Sequence, residues 1–348
     1  MPINTNSRDL KIAYLQERED KSSICLACER RCRIPDNHTG VCGNYMSING
    51  VLYHVGYGRI SALEHRPIEI KPLYHYWPGS IALTYSNYGC NFYCPWCQND
   101  YLSYRKPDLN TQITPPDELV KYAVINGDDG LSASFNEPIT HLDYVIDVSR
   151  IATNLGLYSM MVTNMYFTER SLRAVLEAGV DGFSADIKAC PQAKRALIGL
   201  DHEVVFRNAR IAVDSNAHVE IVYLVVTNTN DFDECYEWII SKHLDYLGPD
   251  TPLHINRYYP AHRWSEPPTP IEKLLEIRNY AARQGLKYIY IGNVGNPEYE
   301  STRCPSCGKI VLYRHGFKLV KHSLQYSSGK YTCSRCGEII PVHGRAFA

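Results

Sequence analysis

The chain has 348 residues, a formal net charge of -1 and 45% hydrophobic residues, which suits one large domain with appendages or two domains. The near-zero net charge excludes binding to nucleic acid or to an anionic membrane through overall charge alone. Residues 1–20 are polar and charged, unlike a signal peptide, and the longest aliphatic-aromatic run, residues 221–226, is too short to span a bilayer.

Cysteine usage points to metal binding. Thirteen cysteines in a chain without a secretory pattern are typical of metal sites in a reducing compartment rather than of disulfides. Eleven of them fall into three groups, and the other two, Cys190 and Cys235, are expected to be unpaired core or surface thiols. We therefore expect a cytoplasmic protein with no membrane partner.

The central group is Cys90, Cys94 and Cys97, whose C-x3-C-x2-C spacing puts three thiolates on one short loop. Thiolates are the usual ligands of iron–sulfur clusters, and a closed [4Fe–4S] site takes four of them. Three thiolates leave one iron open to another ligand, and by analogy with zinc an open position marks a reactive site. The spacing thus predicts a catalytic cluster.

The two outer groups predict two further metal sites. The N-terminal quartet matches the ligand count of an all-cysteine zinc site or of a second iron–sulfur cluster, and the sequence does not choose between them; it consists of Cys25, Cys28, Cys32 and Cys42. The C-terminal quartet forms two C-x2-C pairs, each followed by glycine, and predicts a structural zinc ribbon; it consists of Cys304, Cys307, Cys333 and Cys336. Residues 1–24 predict a mobile or helical leader.

Between these groups the pattern alternates between strands and helices. Strands are predicted at 81–85, 131–135, 158–163, 180–186, 219–226, 252–258 and 287–292. Helices are predicted at 115–126, 141–155, 169–178, 203–215, 231–247 and 270–284. This alternation predicts an α/β fold with right-handed βαβ units and a parallel sheet, either open or rolled into a partial barrel. The expected organisation is a Cys-rich region over 1–80, the α/β domain over 81–296 and a zinc-ribbon-like domain over 297–348.

Several helix ends carry recognisable signals. Threonines followed by proline or an acid predict N-caps at Thr114, Thr140 and Thr269. Glycines at the ends of helical patterns predict left-handed residues at Gly156, Gly179 and Gly285.

Polar residues follow most of the predicted strands. In parallel βα folds, ligands bind beyond the carboxyl ends of the strands, so these residues should share one face. Those expected to bind a cofactor are Asn136, Glu137, Thr163, Asn164, Asp186, Lys188, Gly292 and Asn293. Those expected to contact the substrate, where arginine suits a carboxylate or phosphate, are Arg257, Tyr259, His262 and Arg263. Histidines without ligand spacing are expected to be surface or core residues, namely His54, His65 and His75.

The cysteine loop and its flanks resemble a known family. A C-x3-C-x2-C motif with an aromatic residue, here Trp96, before the last cysteine is similar to the signature of radical S-adenosylmethionine (SAM) enzymes. Residues 66–80 and 89–99 resemble the AmmeMemoRadiSam branch, which is related to the pyruvate formate-lyase activating enzymes. This resemblance runs over most of the chain. It implies a partial (β/α)6 barrel and a [4Fe–4S] cluster whose open iron chelates SAM and, when reduced, cleaves it to a 5′-deoxyadenosyl radical.

The same resemblance implies roles for the loop residues. Asn136 and Glu137 resemble the Gly-Gly-Glu-Pro motif that binds the ammonium of SAM, and Asp186-x-Lys188 matches an Asp-x-Lys motif in which the lysine can donate to a carboxylate. Thr163 and Asn164 match part of an Asp-Thr-Asn-Gly stretch, and residues 292–295 resemble the last-strand motif that packs on adenine.

Two functions follow as hypotheses. The first is an oxidoreductase of the radical SAM class, with a ferredoxin or flavodoxin as electron donor, a partner protein as a possible substrate and a Memo-like protein as a possible partner. The alternative is a metal-cluster interaction or redox-sensing module without SAM chemistry. In that alternative Cys190, after the fourth predicted strand, supplies the fourth thiolate and closes the central cluster.

Overall fold

The computed structural model describes residues 10–193 and 200–347. Its centre is an eight-stranded sheet with helices in its connections, and four three-stranded sheets are formed by the chain before and after it. The predicted α/β class with a mainly parallel sheet is confirmed. Within the described residues, no helix has the length and apolar character needed to cross a membrane.

Residues 10–54 form two small antiparallel sheets, ordered β1-β6-β5 and β2-β3-β4. Their strands are β1 (Lys11–Ile12), β2 (Gln16–Glu19), β3 (Ser22–Cys25), β4 (Arg33–Pro35), β5 (Tyr45–Ile48) and β6 (Val51–His54). The expected mobile or helical leader is therefore wrong from residue 10 onward, while residues 1–9 lie outside the described part. The charged stretch of β2 is a strand because its backbone pairs with β3 through a tight turn, a tertiary preference that its composition does not reveal.

The eight-stranded sheet has the order β14-β13-β12-β11-β10-β9-β8-β7. Its strands are β7 (Ala62–Pro67), β8 (Ile81–Ser86), β9 (Gly130–Ala133), β10 (Tyr158–Thr163), β11 (Val180–Ile187), β12 (His218–Val225), β13 (Leu253–Arg257) and β14 (Ile289–Gly292). Helices in the connections are α1 (Asp100–Ser103), α2 (Pro116–Asn126), α3 (Leu142–Asn154), α4 (Glu169–Glu177), α5 (Glu203–Asp214), α6 (Asp233–Leu247) and α7 (Ile271–Arg283), with 3-10 turns at Ile68–Ile70 and Pro138–His141. Strands β8 to β14 run parallel, and β7 adds an antiparallel edge strand.

The predicted strands and main helices are confirmed with ends that agree to within about two residues. Strand β7, which precedes the predicted boundary at residue 80, pairs with β8 across that boundary. The glycines predicted at helix ends have positive φ angles, 78° at Gly156, 97° at Gly179 and 107° at Gly285. The predicted threonine N-caps are wrong. Prolines 115 and 270 occupy the N-cap positions of α2 and α7, and the Thr269 hydroxyl donates to the Val225 carbonyl instead.

Cys190 and Cys235 are bonded to each other, which corrects the expectation of two unpaired thiols. Both are fully buried, and their Cα atoms lie 5.5 Å apart. They come from the loop after β11 and from α6, which pack together although 45 residues separate the two cysteines.

The chain after the sheet forms α8 (Pro297–Glu300) and two three-stranded sheets. Their strands are β15 (Thr302–Arg303), β16 (Ile310–His315), β17 (Lys318–His322), β18 (Leu324–Ser327), β19 (Lys330–Cys333) and β20 (Ile339–Ile340). Arg314 of β16 anchors this module to the residues between β7 and β8. Its guanidinium lies 4.2 Å from the Tyr74 ring centroid and 3.7 Å from Glu69, and all three side chains are buried.

A buried polar network holds the opposite end of the sheet from the strand carboxyl ends. Glu220, near the start of β12, is 0% exposed. It accepts hydrogen bonds from His218 Nε2 at 2.9 Å, from His254 Nε2 at 2.6 Å and from the His75 backbone N–H at 2.7 Å. Since both carboxylate oxygens of Glu220 accept hydrogen bonds from the protein, we interpret this network as structural.

Candidate active site

A large cavity opens at the carboxyl ends of the parallel strands. Its volume is about 490 Å³. It is lined by the cysteine loop after β8 and by residues that follow β9, β10, β11, β13 and β14. This is where parallel βα folds place their ligands, because the connecting loops converge there.

All three cysteines of the central group line this cavity. The Phe92 backbone N–H donates to Cys90 Sγ at 3.3 Å, and Cys97 Sγ lies 3.6 Å from the Ser103 hydroxyl. Burial raises the pKa of the Cys94 thiol to about 12, and burial together with Glu137 raises the pKa of Cys90 well above its usual range. Buried thiols of this kind become thiolates by binding a metal, which suits a cluster-binding loop.

Glu137 is buried in the cavity wall and is held by three donors. The Thr163 hydroxyl and the Asn164 N–H each donate to its carboxylate at 2.7 Å, and the Ile139 N–H donates at 3.1 Å. Burial raises the pKa of Glu137 to about 7, although these hydrogen bonds act against the shift. The residue is thus a fixed carboxyl group that titrates near neutral pH.

Lys188 and Asp186 form an ion pair on the cavity wall. Burial lowers the pKa of the Lys188 ammonium, but Asp186 and the nearby Cys94 and Cys97 outweigh burial and raise it above the usual value. Lys188 therefore stays positively charged beside the cysteine loop, where an anionic cluster would benefit from a cation.

Three buried polar atoms of cavity-lining residues lack hydrogen-bond partners in the described structure. They are Asn136 Oδ1, Ser184 Oγ and Asn256 Oδ1. Buried polar groups are normally paired, and orphaned ones indicate a missing ligand or water. A molecule with an ammonium group and ribose hydroxyls would supply the donors, so these residues fit SAM.

Seven of the eight residues predicted to bind a cofactor line the cavity. The exception is Gly292, which packs against the Asn256 side chain so closely that an added Cβ would lie 2.1 Å from Asn256 Oδ1. Of the predicted substrate residues, Arg257 and Tyr259 line the cavity. His262 and Arg263 do not line it. The His262 ring pairs with Asp100 at 2.8 Å, and the Arg263 backbone N–H donates to the Pro95 carbonyl at 2.9 Å.

Lys71 is a cavity residue that the sequence analysis did not single out. Its side chain is buried, with the ammonium 5.0 Å from the centroid of the Phe135 ring. Burial, with a further contribution from Arg66, lowers the pKa of Lys71 to about 7. Lys71 lies within residues 66–80, but the sequence there does not show that its side chain is buried.

The two quartets lie outside this cavity. The sulfurs of the C-terminal quartet all lie within 4.8 Å of one another, which suits one metal ion. The N-terminal quartet lines a separate, much smaller cavity of about 20 Å³.

The histidines expected to be surface or core residues are a partly exposed one, His65, and two buried ones, His54 and His75. His54 is fully buried, with Nδ1 3.0 Å from Asp143, and His65 pairs with Asp128 at 2.9 Å. His75 is also buried and is hydrogen-bonded through Nε2 to the Tyr290 hydroxyl at 2.6 Å.

Comparison with known proteins gives a family model and a related protein. The model described as the radical SAM superfamily matches residues 84–239. An uncharacterized protein of Methanocaldococcus jannaschii is 36% identical over 331 residues, which cover 94% of this chain and 98% of that protein.

Two solved structures match part of this chain. Streptococcus suis SuiB bound to S-adenosylmethionine matches with a TM-score of 0.47 and 12% identity, over 63% of this chain and 50% of SuiB. A domain of the pyruvate-formate lyase-activating enzyme from Bacteroides vulgatus matches with a TM-score of 0.40 and 16% identity, over 47% of this chain and 99% of that domain. This chain thus spans half the length of SuiB.

Proposed function

This chain belongs to the same family as the Methanocaldococcus jannaschii protein and carries a radical SAM domain, and on this premise we propose that it is an enzyme that reductively cleaves SAM. One observation carries the proposal. Three cysteines of a single loop line the same cavity as seven residues predicted to bind SAM.

Cys90, Cys94 and Cys97 would hold a [4Fe–4S] cluster in this proposal, and that cluster would supply the electron for the reductive cleavage of SAM. The Glu137 carboxylate accepts from the ammonium of SAM. Thr163 and the Asn164 backbone fix the direction of that carboxylate through their hydrogen bonds.

The remaining wall residues orient the ligand and the substrate. Asn136, Ser184 and Asn256 offer acceptors to ammonium or hydroxyl groups, and Asn293 lies at the carboxyl end of the last strand. Arg257 and Tyr259 present a cation and a phenol toward an acidic or polar substrate. The loops that line the cavity position the reacting groups.

The alternative of a redox or interaction module requires a fourth protein thiolate at the central cluster. Cys190 was the candidate, and its bond to Cys235 argues against that role.

The proposal also covers the substrate, the electron donor, the partner protein, the compartment and the C-terminal metal. The substrate is an unidentified molecule, with a partner protein favoured by the resemblance to activating enzymes of the AmmeMemoRadiSam branch. The electron donor is a ferredoxin or flavodoxin, a Memo-like protein is a partner, and the protein works in the cytoplasm. The sheet forms a partial (β/α)6 barrel, and the C-terminal quartet holds zinc.

The test is an anaerobic assay of the full chain after reconstitution with iron and sulfide. Dithionite and SAM are added, and 5′-deoxyadenosine is measured. We expect 5′-deoxyadenosine to form in proportion to the central cluster. A fully loaded central cluster that forms none would exclude the proposed function.

We expect SAM binding to weaken as the pH falls through 7. The pKa of Glu137 is raised to about 7, so its carboxylate loses its charge below that pH and attracts an ammonium less. Affinity should fall about tenfold from pH 8 to pH 6. The dissociation constant of the reconstituted protein for SAM checks this, with Glu137→Gln as the matched control. That variant should bind more weakly and with little pH dependence, and an equally flat profile for the wild type would contradict the role of Glu137.

We expect Lys71 to react selectively with acetic anhydride near neutral pH. Because its pKa is lowered to about 7, its amine is largely neutral at pH 7.5, whereas Lys188 has a raised pKa and stays protonated. Mass spectrometry of the labelled peptides gives the rate at each lysine, and SAM should slow labelling of Lys71 by filling the cavity. Equal labelling of the two lysines would show that Lys71 is an ordinary ammonium.

A further inference from the structure

The N-terminal quartet surrounds a space of its own. Its four cysteines all line one cavity, in which the centre of a water-sized sphere has about 20 Å³ of space. Zinc bonded to four thiolates at about 2.3 Å would draw the sulfurs too close to leave such a space. A cavity lined by all four cysteines is therefore not what a site shaped around a single zinc ion would show.

The C-terminal quartet provides an internal comparison. Its sulfurs approach to 3.5 Å between Cys304 and Cys336 and to 3.7 Å between Cys307 and Cys333. Among the described residues, no three sulfurs of the N-terminal quartet share the 4.8 Å spacing that all four C-terminal sulfurs satisfy. A cubane of four irons and four sulfides spreads its four terminal thiolates more widely than one ion does, so a cavity lined by four cysteines suits a cubane better than a single zinc ion.

From this geometry we propose that the N-terminal quartet binds a second [4Fe–4S] cluster, with all four irons capped by cysteine. Such a cluster has no open iron, so SAM does not bind to it. A cluster at this site does not require that the central site cleave SAM.

The wall of the small cavity suits a buried cluster. Ala27, Ile34, Val41 and Ile139 provide an apolar lining, and the side chain of Arg30 supplies a positive charge. Iron–sulfur clusters are typically bound in such low-water surroundings, where nearby charge and hydrogen bonds tune their potential.

This site adjoins the loop of the central cysteines. Asn91, the neighbour of Cys90, lines the small cavity, and its backbone carbonyl accepts a hydrogen bond from Arg30 Nε. The Tyr93 hydroxyl donates to the Val41 carbonyl at 2.9 Å. Gly89 approaches the Cys42 carbonyl so closely that an added Cβ would lie 2.2 Å from its oxygen. The two cluster loops are therefore packed directly against each other.

The test uses the full chain, reconstituted without oxygen, and a variant carrying Cys90→Ala, Cys94→Ala and Cys97→Ala. We expect the wild type to hold about eight irons and eight acid-labile sulfides, and the variant about four of each. The variant should also give the electron paramagnetic resonance signal of a reduced cubane after dithionite. Cys190→Ala is the control and should match the wild type.

Zinc in place of iron and sulfide at the N-terminal quartet would overturn the proposal. A variant that holds about two zinc ions per chain and no labile sulfide would assign zinc to both quartets. Mössbauer spectra of the wild type serve if the variant does not fold: two cubanes support the proposal, and one cubane refutes it. Adding SAM should alter the signal of the one open iron among the eight. If it alters no iron signal while two cubanes are present, the proposed function fails and the second cluster stands.

Discussion

Cys94→Ala is expected to lower 5′-deoxyadenosine formation by at least about 10³-fold. The variant lacks one ligand of the proposed cluster, and without the cluster SAM is not cleaved. Cys94 is buried at the cavity wall, and its thiol is not replaced by another cysteine of the central loop, since Cys90 and Cys97 already serve as ligands in the proposed site. Anaerobic assay of the variant, with iron and sulfide counted on the same sample, measures both the activity and the loss of cluster.

Cys190→Ala is the matched control for that experiment. It also removes one buried cysteine, but that cysteine is bonded to Cys235 rather than facing the central loop. We expect its cluster content and 5′-deoxyadenosine yield to equal those of the wild type. If Cys190→Ala loses the central cluster, the open iron does not exist and the redox-module alternative returns.

Glu220→Ala is expected to lower the free energy of unfolding by about 3–5 kcal/mol at pH 7. The substitution removes the shared acceptor of His218, His254 and the His75 backbone N–H, and it leaves these buried donors without a partner. Urea unfolding followed by circular dichroism measures the loss. Because the network lies away from the cavity, the proposal for SAM cleavage does not depend on this result.

Glu177→Ala, on the exposed face of α4, is the control and should change stability by less than about 0.5 kcal/mol.

Burial raises the pKa of Glu220, but hydrogen bonds from His218 and His254 outweigh burial and hold it well below the ordinary value of 4.5. A carboxyl with a lowered pKa stabilises the fold above its ordinary pKa and loses that contribution as the pH falls. The difference in the free energy of unfolding between the wild type and Glu220→Ala should therefore become smaller below pH 4.5. A difference that grows on acidification would contradict the lowered pKa of Glu220.

Much of the central fold could be predicted because its signals are local. Each buried strand from β8 to β14 is a short apolar run, and glycines such as Gly156 mark helix ends with a left-handed conformation. The cavity residues could be predicted for a related reason, since parallel strands bring their carboxyl ends to one edge whatever the details of the loops.

The failures concern properties that only tertiary structure creates. The bond between Cys190 and Cys235 depends on the packing of α6 beside the loop after β11, and Lys71 gains its low pKa from burial. Gly292 was expected at the ligand, but it packs against the Asn256 side chain and does not itself line the cavity. Strand β2 is polar and mostly charged, and it forms because a partner strand is available.

The order of the central sheet has a consequence for biosynthesis. Each strand from β8 to β14 lies beside the strand that precedes it in the chain, and the β7–β8 hairpin provides the first edge. The sheet can therefore grow vectorially as the polypeptide leaves the ribosome, one βα unit being added at a time to an existing edge. Arg314, which locks onto Glu69 and Tyr74, is translated after every one of these strands. Its arrival fastens a segment made after the central sheet to the connection between the first two strands of that sheet.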